Sequence, residues 1–159
     1  MIINTRGVEI NPPKDYIKKE GSYILKIESV IEDGFTTDGH AKIKMSFIGA
    51  EVGTKEPILN HTEMFNVGEK SLWRIKQLEV ALKAPECYDI NDFVGRYVIG
   101  HVVAKKYTKQ NGEVIDTFNI KSWDYSVHND KLPPIKEAVI NQNEPTIEEI
   151  ADDGEELLF

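Results

Sequence analysis

The residues best suited to chemistry in this sequence are cations and aromatic rings that alternate along short apolar stretches. One set lies in residues 35–44 and the other in residues 105–123. Ammonium groups pair with phosphates and ring faces stack on nucleobases, so the combination suits a nucleic-acid strand with unpaired bases. An ordinary solvated strand face is the alternative interpretation of the same pattern. The candidate contact residues are Phe35, His40, Lys42, Lys44, Lys105, Tyr107, Lys109, Lys121 and Trp123.

Patterns typical of catalysis or metal binding do not occur. The four histidines, His40, His61, His101 and His128, are scattered, without the HxxxH or HExxH spacing that places two imidazoles on one metal. The single cysteine, Cys87, forms neither an internal disulfide nor a CxxC metal pair. We therefore predict a protein that is not an enzyme and binds no cofactor or metal. The competing class, a small nuclease or hydrolase, requires a site assembled from distant residues.

The net charge of −8 is concentrated at the C-terminus. Residues 1–136 contain all 19 Lys and Arg and 19 of the 27 Asp and Glu, whereas residues 137–159 contain only acidic charges. An acidic terminus beside a formally neutral body predicts an interaction arm, with a solubilising tail as the alternative.

The last eight residues end the acidic run with large apolar groups and a free carboxylate. A terminal Phe can fill a small pocket while its carboxylate pairs with an Arg or Lys, and the preceding acids steer it toward a basic rim. We expect this segment to recruit a partner protein. The predicted partner-binding residues are Asp152, Asp153, Glu155, Glu156, Leu157, Leu158 and Phe159.

Two strand patterns position the first set of candidates. Residues 22–33 alternate apolar and polar side chains, and a break near Val30 indicates a bulge or bend. Residues 40–48 alternate again and place Lys42 and Lys44 opposite the apolar side chains. The pattern predicts a hairpin with a basic outer face.

A third short strand is predicted over residues 61–67, followed by a helix. Leu and Ile recur at helical spacing until Ala84-Pro85 ends the run. Asn66 and Glu69 have the spacing of capping residues. Trp73 lies at the edge of the apolar stripe, so we expect it to pack against the body.

Two further strands, residues 96–109 and 113–122, are rich in Val, Ile, Tyr and Thr and are joined around Asn111-Gly112, which favours a tight hairpin. Three strands, one helix and two strands is the element order of an OB-fold, a five-stranded Greek-key barrel. We predict this all-β fold with one helix between strands 3 and 4. An open meander with one packed helix is the alternative.

The chain divides into three parts on these patterns. Residues 1–21 are predicted to form an N-terminal leader, residues 22–126 the OB-fold domain, and residues 127–159 a linker and an acidic disordered tail. The N-terminus lacks the features of a signal peptide, and no run of 18 apolar residues occurs. We expect a cytoplasmic protein without a membrane partner.

Four segments of the sequence carry a family resemblance, namely Gly21–Tyr23, Ser71–Leu78, Asp92–Arg96 and the Tyr107–Asn119 hairpin. They resemble small phage-encoded single-stranded-DNA-binding proteins, a group long catalogued as phage proteins of unknown function. The resemblance covers roughly residues 21–126 and implies the OB-fold more firmly than any particular contact. It also implies sequence-nonspecific binding of single-stranded DNA in phage replication or recombination, in the host cytoplasm.

The tail separately resembles that of bacterial single-stranded-DNA-binding proteins, which end in acids, a short apolar stretch and Phe. Leu157-Leu158 departs from the usual proline-containing ending, so the host partners can differ. The resemblance implies that replication or recombination proteins bind the tail. Association of copies of this chain into a homo-oligomer is an alternative that the sequence does not decide. The alternative function is a module that binds another protein and no DNA, which the neutral charge of residues 1–136 favours.

Overall fold

A computed structural model describes residues 1–8 and 15–139. The predicted order of three strands, one helix and two strands is confirmed in this part of the chain. Short 3-10 turns precede the helix and follow it at Ile90–Phe93 and Val127–Lys131. The strands and the helix are β1 (Gly21–Phe35), β2 (Ala41–Glu51), β3 (Leu59–Asn66), α1 (Leu72–Ala81), β4 (Tyr97–Thr108) and β5 (Val114–Tyr125).

The five strands form one antiparallel sheet in the order β3-β2-β1-β4-β5. The first half of β1 pairs on both sides, so that Tyr23 lies opposite Glu51 of β2 and Gly100 of β4. A register shift between Ile27 and Ser29 lies close to the predicted break in β1. This mostly-β structure with one helix agrees with the predicted class and is compatible with an OB-like fold.

One face of the sheet carries the core. Because successive strand residues point to opposite faces, the side chains between the buried positions lie on the other face, which we call the outer face. Lys42 and Lys44 are on the outer face of β2. The buried apolar residues of β1 and β2 are Tyr23, Leu25, Ile27, Ile43, Met45 and Phe47.

The two edge strands, β3 and β5, meet through a buried carboxylate at a junction we call the seam. Glu63 of β3 is 3% exposed, and its carboxylate accepts a hydrogen bond from the backbone amide of Ile120 on β5 at 3.0 Å. The Arg74 guanidinium of α1 donates to the same carboxylate at 2.7 Å, and Nε2 of His61 lies 2.5 Å from it. Side chains of β3 and α1 and a backbone amide of β5 therefore hold the seam together.

The helix α1 packs over this seam. Its buried side includes Ile75 and Leu78, while Trp73 is 58% exposed. The prediction that Trp73 packs against the body is wrong, because Trp73 lies about 200° around the helix from Ile75. None of the helices in the described residues has the length and apolar character needed to cross a membrane.

The predicted cap at the start of the helix is also wrong. A 3-10 turn, Glu69–Ser71, intervenes before α1 begins, and Ser71 is the N-cap residue without a side-chain hydrogen bond. The Asn66 side chain instead accepts a hydrogen bond from the Gly68 amide at 2.7 Å. This bond shapes the connection between β3 and the turn.

Buried residues occur in the sequence both before and after the predicted domain, residues 22–126. Ile17 is buried, and its backbone amide donates to the carbonyl of Asn60 on β3 at 3.1 Å. Ile135 is also buried in the same core cluster. Residues of the predicted leader and the start of the predicted linker therefore contribute to the core.

Candidate nucleic-acid interface

Lys42 and Lys44 lie on the outer face in the middle of a three-stranded region, β1-β2-β3. Lys44 is exposed and lies opposite Ile31 of β1 and Met64 of β3. Lys42 is half-buried and lies opposite Asn66. Neither ammonium forms an ion pair with any residue that the structure describes. We call Lys42, Lys44, Ile31 and Met64 the platform.

Sequence reasoning missed the apolar members of the platform. The side chains of Ile31 and Met64 are 53% and 40% exposed, on either side of Lys44. It also missed Lys26, which is exposed on the same face, opposite Ile48 and Tyr97. The alternation in β1 places Lys26 on the outer face, but only the pairing register shows which residues adjoin Lys44.

The tip of the β1–β2 hairpin holds the other two candidates of the first set. Phe35 is 70% exposed at the end of β1. His40 is exposed, and its backbone amide donates to Oγ1 of Thr36 at 3.1 Å. The His40 ring lies against the backbone of Gly68, where an added Cβ would be only 2.8 Å from the ring. The tip therefore holds one exposed ring and one ring placed against the turn before α1.

The second set lies on a two-stranded extension of β4 and β5. Pairing between β1 and β4 ends at Val102, while β4 and β5 remain paired as far as Thr108. We call residues 103–117 the ribbon. Lys105 and Tyr107 are on the outer face by alternation from His101, and the Tyr107 ring is 55% exposed.

Two other lysines of this region already have carboxylate partners. Nζ of Lys106 lies 2.9 Å from Asp116, and Nζ of Lys109, just past the end of β4, lies 3.4 Å from Glu113. Lys105 forms no ion pair within the described part of the chain. Of the predicted contacts here, Lys105 and Tyr107 are therefore available to a ligand, whereas Lys109 is already paired.

The remaining candidates, Lys121 and Trp123, differ in exposure. Lys121 is the extra residue of a bulge in β5 and is exposed. Trp123 is 8% exposed and packs between Phe47 and Phe65, with ring centroids 5.5 and 6.3 Å away. Trp123 is a core residue whose ring is packed against two other rings, so it is not a base-stacking residue of the interface.

A polar chain of three residues also lies on the outer face. Oγ of Ser22 is 2.7 Å from Nδ1 of His101, and Nε2 of His101 is 2.5 Å from the Asp124 carboxylate. In this order a carboxylate and an imidazole can draw a proton from a hydroxyl group. A nucleophilic serine additionally needs hydrogen-bond donors aimed at the developing oxyanion. Such a serine is typically exposed at a sharp turn, whereas Ser22 lies in a regular strand pairing.

The described residues contain no cluster of three or more His, Cys, Asp or Glu side chains that could hold a metal ion. The predicted partner-binding residues 152–159 lie outside the described residues.

No known family matches the chain, and no curated protein sequence matches it.

Proposed function

We propose that this chain is an OB-fold protein that binds single-stranded DNA without sequence preference. The strand order supports a Greek-key barrel, because β1 pairs with both β2 and β4 while β3 and β5 meet at the seam through Glu63. Such barrels bind single strands on the face formed by strands 2 and 3 and on the loops that join strands 1 to 2 and 4 to 5.

The observation that carries the proposal is the platform. Lys42 and Lys44 lie without ion pairs among the described residues, beside exposed Ile31 and Met64, on the face opposite the core. A positively charged groove along the phosphate chain and aromatic side chains on which bases stack are the two components of sequence-tolerant single-strand binding. Phe35 and Tyr107 supply exposed rings near the two hairpin ends.

The setting and the partners are part of the same proposal. The resemblance of four segments to phage single-stranded-DNA-binding proteins supports a role in phage replication or recombination, in the host cytoplasm. The acidic tail ending in Phe159 supports recruitment of replication or recombination proteins. Binding and protection of exposed strands is then the activity, and no reaction is catalysed.

A second candidate function is docking of another protein without DNA. Residues 1–136 carry equal numbers of acidic and basic residues, and Ile31, Phe35 and Met64 are exposed apolar side chains on β1 and β3, the two strands that flank β2. Apolar surface on a neutral body is typical of protein interfaces as well.

Titration with a labelled oligo-dT and with a duplex of matched length separates the two functions. We expect tighter binding of the single strand, measured by fluorescence anisotropy, with log affinity falling against log salt with a slope of roughly 2 to 4, since each phosphate contact contributes about 0.7. Equal affinity for both nucleic acids contradicts a specific single-strand face. No binding of either one favours the protein-docking module.

A further inference from the structure

The side of α1 that faces away from the core carries exposed apolar surface. Trp73 and Val80 are 58% and 64% exposed. Gln77 lies between them, and residues spaced by four and then three positions share one helix face. We call Trp73, Gln77 and Val80 the ridge. The ridge has no part in the core or in the platform.

The ridge continues the outer face across the seam. On one side, the Arg74 guanidinium donates to the backbone carbonyl of Met64, a platform residue on β3, at 2.9 Å. On the other side, Gln77 and Val80 line a groove of about 300 Å³ together with Ser122 and Trp123 of β5. Ser122 pairs with His101, so it lies on the outer face of β5. The ridge therefore lies between the outer-face margins of β3 and β5.

Cations border the ridge. Lys70 is exposed just before α1, and Lys121 is exposed next to Ser122. Lys76 lines the groove, and its ammonium lies 2.7 Å from Glu79 and 3.2 Å from Glu86. Hydrogen bonds to these two carboxylates raise the pKa of Lys76 and pair its charge, which leaves Lys70 and Lys121 as the cations beside the ridge that attract an anion. The surroundings thus suit an anionic ligand that also offers flat apolar groups.

We propose that a bound single strand leaves the platform at Met64, crosses the seam over the ridge, and stacks one base on Trp73. This inference rests on the proposed function and extends it. In the sheet, β3 and β5 are opposite edges, so the strand pairing alone gives no continuous path from Lys44 to Lys121. A path over α1 joins the two, and it assigns to Trp73 the base-stacking role that burial removes from Trp123.

The two tryptophans make this path measurable in the full-length chain, because one is exposed and the other is buried. On titration with oligo-dT we expect the tryptophan emission to be quenched. Trp73→Phe should abolish the quenching while keeping most of the affinity, because Phe also stacks. Trp123→Phe is the matched control and should keep the quenching.

Affinity gives the second readout. Trp73→Ala should weaken oligo-dT binding by about five- to a hundredfold in anisotropy measurements, the range expected for loss of one stacked base. Circular dichroism should show an unchanged fold, since the side chain is mostly exposed.

Two results together overturn the path over α1: oligo-dT binds without changing the emission of Trp73, and Trp73→Ala binds oligo-dT with full affinity. The proposed function then stays intact. If wild-type protein does not bind oligo-dT at all, the proposed function fails first. Loss of a protein partner in Trp73→Ala with unchanged oligo-dT affinity overturns the path as well, and assigns the ridge to protein docking.

Discussion

The platform and the ribbon both carry lysines, yet they differ in what lies behind and beside those lysines. Met45 and Phe47 of β2 are fully buried beneath the platform, and Lys42 and Lys44 have no ion-pair partner in the described part of the chain. The ribbon extends past the end of β1 pairing. Lys105 on its outer face has no ion pair in the described part of the chain, whereas Lys106 on the other face is paired with the Asp116 carboxylate.

Because of this difference, we do not expect the number of lysines in a segment alone to determine how strongly it attracts phosphate. A paired lysine must exchange its carboxylate for a phosphate, whereas an unpaired lysine only loses water. A two-stranded extension without a core beneath it also has lower local stability than a strand within the sheet. We therefore expect the platform to set the affinity and the ribbon to add less.

The largest expected effect is on the seam, which links the β3 side of the platform to β5. Glu63→Ala removes a buried carboxylate that binds Arg74 and the Ile120 amide, so the free energy of unfolding should fall by about 3–5 kcal/mol. Guanidinium unfolding measures this change. Glu113→Ala removes a mostly exposed carboxylate and should change stability by less than about 0.5 kcal/mol. Similar losses in both variants would contradict a structural role for the seam.

The next effect tests the platform against the paired lysines directly. Lys42→Ala combined with Lys44→Ala should weaken oligo-dT binding on the order of tenfold near 0.1 M salt and lower the salt slope by about 1.4. Lys106→Ala combined with Lys109→Ala removes the same charge from lysines that are already paired. Anisotropy titrations should show a smaller loss of oligo-dT affinity for this second pair. A larger loss for the second pair would contradict binding on the platform and would place the main binding surface on the ribbon.

The strands could be predicted because the core residues alternate within each one, and Asn111-Gly112 marks the β4–β5 turn by its backbone preference. The exposures of Trp73 and Trp123 could not be predicted, because they depend on which face of the helix and which face of the sheet meet the core. Glu63 gave no local signal either, because its partners Arg74 and Ile120 come together only when the sheet curls. The local residue pattern thus predicts the strands and the helix, whereas the long-range pairing of these elements determines which residues form the site.

A smaller effect is expected at the ribbon tip. Tyr107→Ala removes a ring that is 55% exposed, and the loss in oligo-dT binding should be about 1 kcal/mol, the lower end of the range for a stacked base. Tyr107→Phe keeps the ring face and should bind like wild type. If the two variants lose equal affinity, the hydroxyl rather than the ring makes the contact.

The smallest effect concerns the tail. A segment rich in carboxylates, tethered to a lysine-bearing face, competes with DNA at an effective concentration near millimolar. Deleting residues 144–159 should therefore tighten oligo-dT binding a few-fold at low salt, with the difference shrinking as salt screens the charges. Pull-downs should lose the partner proteins at the same time.

Phe159→Ala separates these two roles, because it removes the terminal ring and no charge. Partner recovery should fall while oligo-dT affinity stays near that of wild type. Unchanged affinity on truncation, with the same partners recovered, would leave the tail a solubilising segment.

The most direct test of the central claim is a map of amide chemical-shift changes in the full-length protein as oligo-dT is added. We predict the largest changes along the outer face of β1, β2 and β3, around Ile31, Lys44 and Met64, with smaller changes in the ribbon. Changes confined to the surface around Arg96 and Ile135, or none at saturating oligo-dT, would contradict a single-strand interface on the platform.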